Sequence, residues 1–259
     1  MRGLNCMFRP DQITQLRDGF AEIRPKADAL MLELVSRQYK TPEGREYAEN
    51  GVARRIQTIA RCIEKVYHLL PPDQVAIPER NVLYDAVINI QSAVFNTFGT
   101  LDNLAFMWVF EKEIVGKNGN PLPNGRIGLA RDKDQVRASF SDEVQTYLAS
   151  MDPWYLNLES FRHSLGHRIP LYIPPFCIDP DRADNYNDLE HKISSALKAQ
   201  NFEEYRELTT EQDALRHFKP MMKHSLNDPA PPVVFHAQLL ADFNTVEEVC
   251  TKILAALES

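Results

Sequence analysis

Arg162, His163, His167 and Arg168 fall within seven consecutive positions of the stretch FRHSLGHRIP. Imidazole exchanges a proton near neutral pH, which suits it to general acid and base work. A guanidinium keeps its charge and offers a rigid fork of donors to a phosphate. Taken together and without a metal, such groups suit cleavage of RNA by its own 2′-hydroxyl. One imidazole takes the hydroxyl proton, the arginine meets the charge of the pentavalent phosphorane, and a second acid protonates the leaving oxygen. Three other readings stay open. Cations favour a helix C-terminus for its partial negative charge, which accounts for His167 and Arg168 without any chemistry. His163 and His167, four apart, form half of a metal site. That reading lacks a third ligand, because Ser164 stands where an HExxH motif has Glu and the other histidines (His191, His217, His224, His236) are scattered. The last reading is a cationic notch that binds a ligand or partner without catalysis.

The element that must position these groups starts at Asp152-Pro153, a side-chain cap followed by proline at the first helical position, and runs to about Arg168. At about 100° per residue, with Arg162 at 0°, Trp154, Leu158, Phe161 and Leu165 fall between about −40° and −100° and form a narrow apolar stripe. His163 and His167 lie on the opposite side, at about 100° and 140°. Arg162 sits at the border, where its stem can follow the apolar surface while the guanidinium reaches the histidines' edge. Glu159 is four residues before His163, in pairing distance on a helix, and Gly166 leaves space on the Arg162 side.

The rest of the chain reads as mainly α: a helical bundle with a small two-stranded β annex in the C-terminal part. Ile13, Leu16, Phe20 and Ile23 make one helical stripe, which Pro25 breaks or restarts. Thr41-Pro42 starts a further helix, and Val52, Ile56, Ile59, Ile63 and Val66 mark the face of a long one. From Glu79 to about Val115 the chain is apolar and free of proline, so it forms one helix kinked at Gly99 or two. Residues 116–128, with two Asn-Gly pairs and two prolines, form a loop that can carry a small hairpin. IPLYIPPF after the candidate helix is extended, with too much proline for an interior strand. PPVVFHAQLLADF (231–243) is a second extended candidate that can pair with it, followed by a last helix capped at Asn244 or Thr245. This divides the chain into a bundle, 1–168, and an extension, 169–259, packed on it.

Composition excludes some classes. The net charge is −7, from 29 basic and 36 acidic residues, so nucleic acid would be met by a local patch rather than by the whole surface. The N-terminal residues lack the apolar core of a signal peptide, and LAFMWVF, the densest apolar run, is too short for a membrane span. The four cysteines (Cys6, Cys62, Cys177, Cys250) form no CxxC pair, which predicts free thiols in a reducing cytoplasm. Phosphate-loop, dinucleotide and nucleophile-elbow motifs are absent, and no cofactor is expected.

RHSLGH resembles the Arg-(four to six residues)-His motif of HEPN domains, all-α bundles that carry this motif near the end of a late helix. The resemblance covers six residues directly and about 100 by helix pattern. It implies Arg162 as the motif arginine, His163 as the polar residue that follows it, and His167 as the catalytic histidine. It further implies a metal-independent endoribonuclease of a defence or toxin type, working as a homodimer with the two motifs facing each other. The alternative within the same family is a module that binds RNA, a nucleotide or a protein partner without turnover. The two extended segments and the acidic charge depart from the minimal nuclease pattern. Around this core, one of Asp102, Asn103 and Glu111 is a candidate to brace Arg162 from a neighbouring helix, against the plainer role of solvent-facing or locally satisfied polar groups. Arg168, Lys223 and His224 are candidate binding residues, the last two from a basic spot in FKPMMKHS that also contains Lys219. Trp108 and His236 read as core.

Overall fold

In the computed structural model, which describes residues 7–224 and 232–258, the predicted apolar stripes become the buried faces of long helices. Helix α1 (Pro10–Ser36) buries Leu16, Ile23, Ala27, Leu30 and Leu34. It continues through Pro25 rather than breaking there. Ile23 and Ala27, fully buried on either side, hold the two halves in one axis at the loss of one backbone bond. Thr41 caps α2 (Pro42–Glu46), its Oγ1 accepting from Gly44 N at 3.0 Å. A π-helical segment, Tyr47–Ala53, joins α2 to α3 (Arg54–Leu69), whose Ile56, Ile59, Ile63 and Val66 are buried as the periodicity requires. Helix α4 (Arg80–Glu111) is a single element of 32 residues with Gly99 inside it.

The 116–128 loop is a bridged turn: Val115 pairs with Pro121, Gly116 N donates to Asn120 O at 2.7 Å, and Gly119 takes φ +76°. That dihedral is the left-handed region, which suits glycine. Short helices α5 (Asp134–Arg137) and α6 (Asp142–Ser150) lead into α7 (Asp152–His167). Asp152 is the first helical residue and not the cap. Its carboxylate accepts instead from the Arg137 guanidinium, tying α7 to α5.

Helices α8 (Ala183–Lys198) and α9 (Phe202–Asp213) form a hairpin turned at Gln200, φ +57°. The annex differs from expectation in its pairing. Strand β1 (Met221–Met222) pairs antiparallel with β2 (Val233–Val234), while the extended segment after α7 pairs on the other side, through Tyr172 and Lys223 and through Cys177 and His217. Val233–Val234 is extended, but the chain is helical from Phe235, so α10 spans Phe235–Glu258 and Asn244 and Thr245 lie inside it. Phe235, His236, Leu239 and Phe243 are buried, and that helical face outweighs the β-branched content before it. Helix α10 packs against α1, α3 and α4, so the bundle core is closed by residues from both ends of the chain. The architecture is mainly α with a two-stranded antiparallel sheet. Among the described residues, no helix is long and apolar enough to cross a membrane.

Candidate functional site

Helix α7 lies against α4 and buries Tyr155, Leu158, Phe161 and Ser164. The predicted stripe therefore faces the bundle, and His163, His167 and Arg168 are left exposed. The two imidazoles stand together, ring centroids 5.0 Å apart. Glu159 makes no ion pair with His163 within 4.0 Å. Arg168 follows the helix and donates its backbone N–H to Ser164 O at 3.0 Å. Among the described residues, a Cβ added at Gly166 would meet nothing within 4 Å beyond its own helix, which leaves the expected space there.

Arg162 is half-buried. Its guanidinium lies over the Phe98 ring of α4, 5.4 Å from the centroid, and that ring packs on Tyr155. No hydrogen bond joins Arg162 to either histidine, and no carboxylate lies within 4.0 Å of it among the described residues. The arginine thus serves the α4 side of α7, where the sequence suggested the histidines' edge.

The three polar residues of α4 have separate tasks. Asp102 is the one on which the Arg162 charge acts. Burial raises its carboxyl above the ordinary carboxylate value, opposed by the positive charges of Arg162, Arg55 and Lys133. Asn103 attends a different arginine. With its amide oriented by its neighbours, its oxygen accepts from Arg55 Nε at 3.2 Å and its nitrogen donates to Gly99 O at 3.2 Å. Glu111 caps α2: its carboxylate accepts from Lys40 N at 2.8 Å, Thr41 N at 3.0 Å and Thr41 Oγ1 at 2.8 Å.

The annex adds His224, whose ring packs on Phe161 at 4.3 Å between centroids, next in sequence to Arg162. Lys223 is engaged through its backbone with Tyr172, N–H to O at 3.0 Å and back at 2.8 Å. Lys219 is tied to Asp179 at 3.1 Å, and among the described residues it makes no hydrogen bond or ion pair with the α7 groups. His236 is a core residue, fully buried, with Nε2 2.6 Å from Leu70 O. Trp108 is likewise buried, its Nε1 donating to Ser139 Oγ at 2.8 Å.

Arg55 is the residue that sequence reasoning missed. It crosses α4 at Gly99, where an added Cβ would stand 2.6 Å from its Cζ, and donates to Asn96 Oδ1 at 3.1 Å. The available signal was the row Asn96, Gly99, Asn103, polar or small at helical spacing on an apolar helix. A groove of about 670 Å³ opens further along α4, lined by Leu83, Tyr84, Val87 and Ile88 on one side and by Tyr172 and Ile173 of the extended segment on the other. Among the described residues, no group of three His, Cys, Asp or Glu side chains is arranged to hold a metal ion. No family model, curated protein or solved structure matches the chain.

Proposed function

We propose that this chain is a HEPN-like, metal-independent endoribonuclease of a defence or toxin type, acting through Arg162, His163 and His167. The observation that carries the reading is the end of α7. Among the described residues, a cation with no carboxylate within 4.0 Å lies on one side of the helix, two exposed imidazoles 5.0 Å apart lie on the other, and nothing fills the space at Gly166 between them. In the proposed reaction His167 takes the proton of a 2′-hydroxyl. The freed oxygen attacks the adjacent phosphorus, and the bond to the 5′-oxygen breaks. Arg162 stabilises the phosphorane charge, and His163, or the His167 of a second copy, protonates the leaving oxygen. The products are a 2′,3′-cyclic phosphate and a 5′-hydroxyl. A homodimer and a cytoplasmic setting belong to the same proposal. Leu156 of α7 and Ile169 just after it, 61% and 60% exposed, supply apolar surface for a second copy.

The test is cleavage of single-stranded RNA in EDTA. The wild type cleaves, and His167→Ala loses about 10²- to 10⁴-fold in rate, the usual share of a general acid or base. Undiminished cleavage by His167→Ala removes the assignment. One observation favours a second reading, a binding module without turnover. Among the described residues, neither His163 nor His167 makes a ring hydrogen bond that would fix its tautomer, and catalytic imidazoles are usually held that way. That reading expects Arg162→Ala to weaken RNA or nucleotide binding with no turnover by either protein.

A further inference from the structure

Arg55 of α3 and Arg162 of α7 come from opposite sides onto one turn of α4. Arg55 rests on Gly99 and Asn103, and Arg162 rests on Phe98, so the two guanidinium groups flank residues 98–103. The seat for Arg55 exists because residue 99 has no side chain. Asn96 and Asn103 fix its orientation from the same helix. On the helix wheel Asp102 falls between the two positions, about 60° from Gly99. It is half-buried, yet within 4.0 Å it pairs with neither arginine. Lys133 adds a third positive charge close enough to act on Asp102. Two forked cations held in place, with no carboxylate within 4.0 Å of either among the described residues, make a site for an anion. Arginine pairs grip phosphate well, because each offers parallel donors to its oxygens.

The surroundings favour a phosphate within a strand over a free ion. The outward face of α4 carries exposed Phe95 about one turn from Gly99, and exposed Ile88 and Tyr84 continue the same side about two to three turns further along. An aromatic ring beside a cationic seat, with apolar surface leading away along one face, is how single-stranded nucleic acid is held without sequence preference.

We propose that the 98–103 turn of α4 is a phosphate-binding notch in which Arg55 and Arg162 hold the backbone of single-stranded RNA from both sides. This rests on the reading that RNA is taken at Arg162, and it assigns Arg55, Gly99 and Asn103 to the same ligand. Burial holds the Asp102 carboxyl above its ordinary range despite three nearby cations, as expected of a weakly satisfied counter-ion that a phosphate displaces.

The experiment is binding of a labelled oligo-2′-O-methyluridylate, which cannot be cleaved, measured by fluorescence anisotropy in EDTA over a range of KCl. Arg55→Gln weakens binding about tenfold, and its slope of log affinity against log salt is shallower by about 0.7, the value for one phosphate contact on a single strand. Gly99→Ala fills the guanidinium's seat while keeping every charge and improving helix propensity, and it shifts binding in the same direction. Asp102→Asn tightens binding. Wild-type affinity and slope in both Arg55→Gln and Gly99→Ala would overturn the notch. If Arg162→Gln alone weakens binding, RNA recognition at α7 stands and the notch falls. If wild type and all variants bind equally weakly, both fall.

Discussion

The chemistry of single side chains here depends on which neighbour each one meets. Asp242 of α10 is 6% exposed, and its Oδ1 accepts from Trp154 Nε1 at 2.8 Å and from Gln238 Nε2 at 2.7 Å. Burial pushes its carboxyl up to about 6 from the ordinary 3.8. A folded value above the unfolded one means that this carboxylate costs stability as pH rises from 3.8 through 6. His236 is the converse case: burial lowers it to about 4 from 6.5, so its contribution is present above 6.5 and lost as pH falls toward 4. Asp242→Asn keeps an oxygen for both donors and removes the charge. It therefore raises stability at pH 7.5 by about 2–3 kcal/mol and changes little at pH 4. Urea unfolding at the two pH values measures this, and an equal change at both contradicts it. Asp102, Asn103 and Glu111 show how far residue type alone reaches. The sequence marked all three as possible supports for one arginine, but a single α4 points them at three neighbours that periodicity cannot name.

At the scale of elements, the long apolar stripes and the Thr41-Pro42 start were legible, whereas the caps read at Asp152 and at Asn244 or Thr245 fall inside helices and events that depend on tertiary contact left no signal. Thr41-Pro42 announced α2, and the stripe from Val52 to Val66 announced α3. The π-helical segment between them has no local signal. It is fixed from outside, by Tyr47 stacked on Phe106 at 4.8 Å and by Gly51 set close against Asn103. Pro25 read as a break because proline costs a helix bond, yet the buried residues around it outweigh that loss. The cap of α2 is likewise completed from 70 residues away by Glu111, whose carboxylate takes three donors. Glu111→Ala leaves those donors to water and lowers stability by about 2 kcal/mol. The change appears as a lower urea midpoint at unchanged slope, whereas a midpoint within error of wild type contradicts the capping role.

For the whole molecule, the class was legible because helical periodicity persists over most of the chain, while strand partners were not, because two-residue strands carry too little pattern to choose between them. Met221–Met222, inside the basic spot FKPMMKHS, was not among the segments read as extended, yet it supplies the pairing strand. The final helix, which sequence order places in the extension, closes the core between α1, α3 and α4. Of the candidate site, the α7 groups were visible as a motif. Arg55 was not, since it reaches the site only through the packing of α3 on α4. On the proposed reading these parts form one RNA-cleaving surface, with α4 as floor and α7 as the reactive wall. The most direct measurement is product analysis after incubation in EDTA of a single-stranded oligoribonucleotide and of its counterpart with one 2′-deoxyuridine at the cleaved position. The account predicts 2′,3′-cyclic phosphate and 5′-hydroxyl ends from the first, no cut at the substituted position in the second, and loss of both ends with His167→Ala. Cleavage that survives the 2′-deoxy substitution, or full-length oligonucleotide recovered from both incubations with the wild-type protein, contradicts it.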